Sequence, residues 1–171
     1  MPPKTYKGGK IVCQGSDGTC TMVMPDGSEY SGEIENGMAH GEGTFTFTDG
    51  RVIKGTFEKG RPHGKNIELT FPDGRKYSGE YRNGKRDGYG TMYFPDSKKY
   101  EGEWKNDLPH GEGQIIHPGG SVEEGIWIKG KKKPGSKANG EPVKPEGMGR
   151  PLKILLLSVL IIVVILLFFY Q

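Results

Sequence analysis

Apolar and polar residues alternate along most of the first 130 positions. Tyr30, Gly32 and Ile34 are separated by polar neighbours, as are Tyr77, Gly79 and Tyr81, and Tyr100, Gly102 and Trp104. A period of two with one apolar face predicts half-buried strands. A glycine-containing cluster such as Asn36 to Gly41 follows each run, and a second alternating run then begins: Phe45 and Phe47, Leu69 and Phe71, Met92 and Phe94, and Ile115. Asp49-Gly50, Pro72-Asp73-Gly74 and Pro95-Asp96-Ser97 turn the chain into the next run. The elements are therefore β-hairpins, and no amphipathic helical window competes with them.

The hairpins recur. Tyr6, Tyr30, Ile53, Tyr77, Tyr100 and Glu123 are spaced by 24, 23, 24, 23 and 23 residues, each followed two positions later by glycine. A sustained period in this range predicts a stacked-repeat architecture, stabilised by neighbouring units rather than by a deep core. The clearest unit runs from Tyr77 to Ser97, with glycines at 79, 84, 88 and 90. The unit at Ile53 carries an extra residue near Asn66 and loses its last glycine. Asp107 replaces a glycine, Glu123 replaces a tyrosine, and Cys13 and Cys20 fall where glycines are expected.

The Tyr-x-Gly-Glu-(Tyr/Trp) opening and the Gly-x-Gly-Thr second strand resemble the MORN (membrane occupation and recognition nexus) family over residues 6 to 130. The resemblance implies an all-β fold: a single curved antiparallel sheet of about eleven strands, on the order of 50 Å long at roughly 4.8 Å per strand. It divides residues 1–130 into a degenerate unit 6–29, clear units 30–52, 53–76, 77–99 and 100–122, and a final strand 123–130. In such proteins the glycine-lined aromatic face resembles a seat for an extended peptide or helix. Here that partner groove would be lined by Tyr30, Ile34, Phe57, Tyr77, Tyr81, Tyr100, Trp104 and Trp127. The same aromatics are also the main apolar material available to hold the sheet together.

Beyond the repeats the composition changes twice. Residues 131–151 are rich in Pro, Gly and Lys and predict a flexible basic linker. Ile154 to Tyr170 is apolar or aromatic throughout except for Ser158. As a helix that run would be about 25 Å long, enough with Leu152 and a snorkelling Lys153 to span a bilayer. Residues 152–171 therefore read as a C-terminal transmembrane helix and tail anchor. Eight basic and two acidic residues between Lys129 and Lys153 predict that the array stays cytosolic. No apolar run near Met1 suggests a signal peptide. The endoplasmic reticulum is the expected membrane, since the tail lacks a basic carboxy-terminal flank. In a reducing compartment Cys13 and Cys20 need not pair, and they read as small substitutes for glycine. The layout resembles that of the junctophilins, without their long helical spacer.

Charge changes the functional picture less than the tail does. Of 24 basic and 21 acidic residues, 16 and 19 lie in residues 1 to 128, so the array is near −3. Overall charge thus speaks against an anionic-lipid reader, although Lys59, Arg61, Arg82, Lys85 and Arg86 cluster near two hairpin turns, and Lys131, Lys132 and Lys133 follow the array. These eight are the candidate anionic-lipid contacts. His40, His63 and His110 recur in the turns with Asp87 at the fourth equivalent place. Equivalent positions lie roughly 10 Å apart, too far for one metal ion. No catalytic motif, cofactor or metal set stands out, and nothing points to nucleic acid. The expectation is a non-enzymatic, membrane-anchored scaffold or adaptor that binds a cytosolic protein or peptide. Alternatives are a contact-site tether binding anionic phospholipids of an apposed membrane, or a regulatory subunit of a separate enzyme. Homodimerisation through sheet edges is a further possibility.

Overall fold

A computed structural model describes residues 4–6, 9–13 and 19–137. They form one antiparallel sheet of fourteen strands: β1 (Lys4–Tyr6), β2 (Gly9–Cys13), β3 (Cys20–Val23), β4 (Glu29–Glu35), β5 (Met38–Thr46), β6 (Val52–Glu58), β7 (Arg61–Pro62), β8 (Gly64–Thr70), β9 (Lys76–Arg82), β10 (Lys85–Tyr93), β11 (Lys99–Lys105), β12 (Leu108–Ile116), β13 (Val122–Ile128) and β14 (Lys131–Lys132). Each pairs with the next in the chain, except that two-residue β7 shares the edge of β6 with β8. Among the described residues there is no helix. The expected transmembrane segment 152–171 and residues 138–151 of the expected linker lie outside them. All the strands and the whole buried cluster fall within residues 4–137.

Register explains the repeat. Met22, Tyr30, Phe45, Ile53, Leu69, Tyr77, Met92, Tyr100 and Ile115 stand directly opposite one another from strand to strand, forming one apolar row. Two residues along, Gly32 faces Gly43, Gly43 faces Gly55, and Gly79, Gly90, Gly102, Gly113 and Gly125 continue the series. The two rows need each other. A Cβ on Gly90 would lie 2.5 Å from Tyr77 Cζ, and one on Gly43 would lie 2.5 Å from Tyr30 Cζ. Each tyrosine ring lies across the glycine of the following strand. Its hydroxyl then reaches backbone: Tyr77 Oη donates to Glu80 O at 3.1 Å and Tyr100 Oη to Glu103 O at 3.1 Å.

The exceptions obey the same steric rule. Where Ile53 replaces tyrosine, no ring covers the next strand, and fully buried Ile67 occupies the glycine position opposite Gly79. The extra residue near Asn66 is absorbed as an irregularity between Gly64 and Ile67. At the amino-terminal end Ile11, not Tyr6, stands in the tyrosine row, opposite Met22. Cys13, Cys20 and Gly32 share the glycine row as expected, but the cysteines do more than replace glycine. Contrary to the sequence reading, they form a disulfide across β2 and β3, with Cα atoms 4.0 Å apart. Direct opposition across the two strands brings the side chains within reach of each other.

The other departures have local causes. Two-residue turns with both central residues at positive φ join the strands within each unit: Asn36-Gly37, Lys59-Gly60, Asn83-Gly84, Asn106-Asp107 and Lys129-Gly130. This is the hairpin turn that matches strand twist, and it favours Asn-Gly. Asp107, at φ 70°, stands where Gly84 serves the preceding unit. Arg86 accounts for it, donating from its backbone N at 3.1 Å and Nε at 3.3 Å to Asp107 Oδ1, and from NH2 at 2.9 Å to Asp107 O. The linker also begins later than its composition implies. Lys131–Lys132 pair with β13, and Ser136 Oγ accepts from Ile126 N at 3.0 Å. The backbone turn supplies that register, which a run of lysines does not advertise.

Candidate functional site

The eight residues expected to line a partner groove share one face of the sheet. Trp127, Tyr100, Trp104, Tyr77 and Tyr81 form an unbroken series of edge-to-face contacts, with ring centroids 5.0, 5.5, 5.2 and 5.6 Å apart. Tyr30 and Phe57 make a separate pair at 5.0 Å. These seven are no more than 5% exposed, and Ile34 is half-buried. Phe45, Phe47, Phe71, Phe94 and Ile115 pack against them. The room that the missing glycine side chains leave is thus taken by the chain's own tyrosines. Each such ring pair adds about 0.5–1.5 kcal/mol beyond area burial.

Burial holds these phenols neutral. It pushes Tyr30 and Tyr81 up to about 12, and Tyr77 and Tyr100 higher still. Below the ordinary tyrosine value of about 10 the phenols are protonated in folded and unfolded chains alike; above it the unfolded chain ionises first. Stability is therefore expected to fall from about pH 10 upward, with loss of near-ultraviolet dichroism coinciding with tyrosinate absorbance. Ionisation of every tyrosine near pH 10 while the fold persists would contradict this placement of the rings.

The in-unit turns all lie along one end of the sheet, and this rim is cationic. Residues 35–40, 58–63, 82–87, 105–110 and 128–133 hold ten lysines and arginines against four carboxylates, Glu35, Glu58, Asp87 and Asp107. The other described residues hold ten cations and fourteen carboxylates. The rim is thus near +6 and the rest near −4. All eight candidate lipid contacts fall on it. Lys59, Arg61, Arg82, Lys85, Lys131 and Lys133 are exposed. Arg86 instead turns inward: its guanidinium stacks 4.5 Å from the Trp104 centroid. The Lys132 stem covers Gly125, and its ammonium lies 5.7 Å from the Trp127 centroid and 3.6 Å from Glu123. Lys105 and Lys129 also belong to the rim. Aligning the turns exposes both, whereas a search for runs of like charge passes over them.

Ion pairs thread this rim in a repeating pattern. In the first three clear units the last residue before the turn meets one a few positions after it, as in Glu35 with His40 at 3.2 Å and Glu58 with His63 at 3.7 Å. The third unit inverts the signs, pairing Arg82 with Asp87 at 3.8 Å, and Asp87 also meets Lys105 of the next unit at 3.2 Å. That inversion is why an aspartate stands at the histidine position. At the opposite end, each turn cation is bound within its own turn. Arg51 and Arg75 each bind the aspartate two residues earlier, at 2.7 and 2.8 Å, and stack on Phe47 and Phe71.

Four segments, residues 30–50, 54–65, 77–99 and 100–122, match the MORN repeat family model. No curated protein matches the chain. Among solved structures, it is similar to the TCP domain of Drosophila melanogaster SAS-4 (dCPAP), solved in complex with a proline-rich motif of Ana2 (dSTIL). That likeness has 12% identity, covers 72% of this chain and 76% of the other, and has a TM-score of 0.45.

Proposed function

We propose that this chain, with its four MORN repeats, is a non-enzymatic scaffold held at an endomembrane by residues 152–171. In this proposal the cytosolic array presents its cationic rim to an anionic phospholipid surface. MORN repeats make a repeat-type binding or scaffold protein the coarse class. The observation that carries the finer reading is the segregation of charge, because the aromatic face is already covered by its own rings. Cations near an anionic leaflet contribute about 1 kcal/mol each, falling off within a Debye length. Nine of the ten rim cations are exposed; they support weak, salt-sensitive attachment, and a second anchor strengthens it by proximity.

Residues 1–137 carry the entire sheet and are the fragment to test. They are expected to float with vesicles containing phosphatidylserine or phosphoinositide at low salt, and to be released as salt rises. Failure to float with anionic vesicles at any salt would sink the lipid reading and return weight to a protein-binding scaffold. A specific feature favours that second reading: along Val122–Gly125 the outer edge of β13 has no partner strand among the described residues. An extended peptide could add to that edge.

A further inference from the structure

We infer that the cationic rim ends in an apolar wedge, Leu108 and Ile128, that enters the headgroup region of an anionic bilayer. This rests on the lipid-surface reading above and adds the residues and orientation of contact. Leu108 and Ile128 are 45% and 51% exposed, and they sit beside in-unit turns of the last two units. Leu108 Cδ2 lies 3.5 Å from where a Gly130 side chain would begin, so it rests against the turn that follows Ile128.

The chain supplies its own control for what the fold requires there. The position of Leu108 is filled in the other units by Met38, Arg61, Lys85 and Lys131, and that of Ile128 by Glu35, Glu58, Arg82 and Lys105. Charged residues satisfy the turn at both places, so packing does not demand leucine or isoleucine. Lys105, Lys129 and Lys131 flank the two apolar side chains. Exposed apolar tips ringed by lysines suit a surface that is anionic outside and apolar a few ångströms below. A nucleic-acid backbone would meet the lysines but offer those tips no apolar layer, and an acidic protein would have to carry an apolar pocket at the matching place. The sheet would therefore stand on its rim rather than lie flat, leaving both faces clear.

The test places an environment-sensitive NBD probe at residue 108 through Leu108→Cys in residues 1–137, kept oxidised so that Cys13 and Cys20 stay paired. The same probe at Lys54→Cys, mid-sheet and exposed, is the control. On phosphatidylserine vesicles the probe at 108 should shift to shorter wavelength and the control should not. The double variant Leu108→Ser/Ile128→Ser should bind those vesicles at least about tenfold more weakly, while binding heparin as the parent does. Circular dichroism establishes that each variant is folded.

Vesicle binding with no shift at 108, or an unchanged affinity for the double variant, would overturn the wedge and leave a rim that senses charge alone. An equal loss of heparin binding would overturn it too, since the two residues would then act on the rim as a whole. Absence of vesicle binding by the parent fragment would overturn the lipid reading and the wedge together.

Discussion

Replacing Gly90 by alanine should destabilise residues 1–137 by about 3 kcal/mol, close to the most severe effect of a single methyl group. The new carbon would sit 2.5 Å from Tyr77 Cζ, in a position almost no real Cβ occupies. The ring must leave, and with it go its hydrogen bond to Glu80 O and its edge-to-face contacts with Tyr81 and Trp104. Gly90 is not at positive φ, so the cost is purely steric. Two controls isolate it. Gly119→Ala, with nothing within 4 Å, should change stability by less than about 0.5 kcal/mol. Tyr77→Ile added to Gly90→Ala should cost much less than the two changes summed, because the Ile53 unit already uses an aliphatic pair. Additive losses in that urea-denaturation cycle would refute the ring-over-glycine rule.

Trp104→Ala should cost about 3–5 kcal/mol and should split the array. The indole touches rings on both sides, Tyr77 and Tyr100, donates from Nε1 to Gly90 O at 3.1 Å, and carries the Arg86 guanidinium on its face. Repeat arrays are stabilised by nearest-neighbour contacts, so a break in the middle should uncouple the two halves. Hydrogen exchange should show protection lost across β9 to β12 while β4 to β6 retain theirs. Trp127→Ala, which removes the end of the ring series and its single ring contact with Tyr100, should cost less. Uniform loss across the sheet after Trp104→Ala would mean that the array folds as one unit.

The hairpins, the in-unit turns and the shared face of the aromatics were legible because alternation and Asn-Gly turns are local signals. Less local features were not. The pairing of tyrosine with the glycine thirteen residues later becomes visible only in register, and so does the reason Ile53 accompanies Ile67. Sequence spacing chose Tyr6 as the first row residue, whereas the bridged β2–β3 hairpin puts Ile11 there. Asp107 looked like a lost glycine until Arg86 closed around it. Net charge misled twice: the sum near −3 stopped at residue 128 and so left out Lys129 and Lys131, Lys132 and Lys133, and it averaged over two regions of opposite sign. Strand direction decides which turns share an end. The residues named for a groove share one face, as the alternation predicts, and the register shows their rings lying across the glycine positions between them.

The account turns on charge position rather than charge amount, and one comparison separates the two. Arg61, Lys85 and Lys131 stand at equivalent exposed places on the rim, whereas Lys54, Lys65 and Lys76 are exposed away from it. Changing either trio to glutamine removes the same three charges from residues 1–137. Flotation with phosphatidylserine vesicles at a fixed, moderate salt concentration should fail for the rim trio and persist for the other. Equal loss from both would show that the array responds to net charge alone, and would contradict the rim as its contact surface.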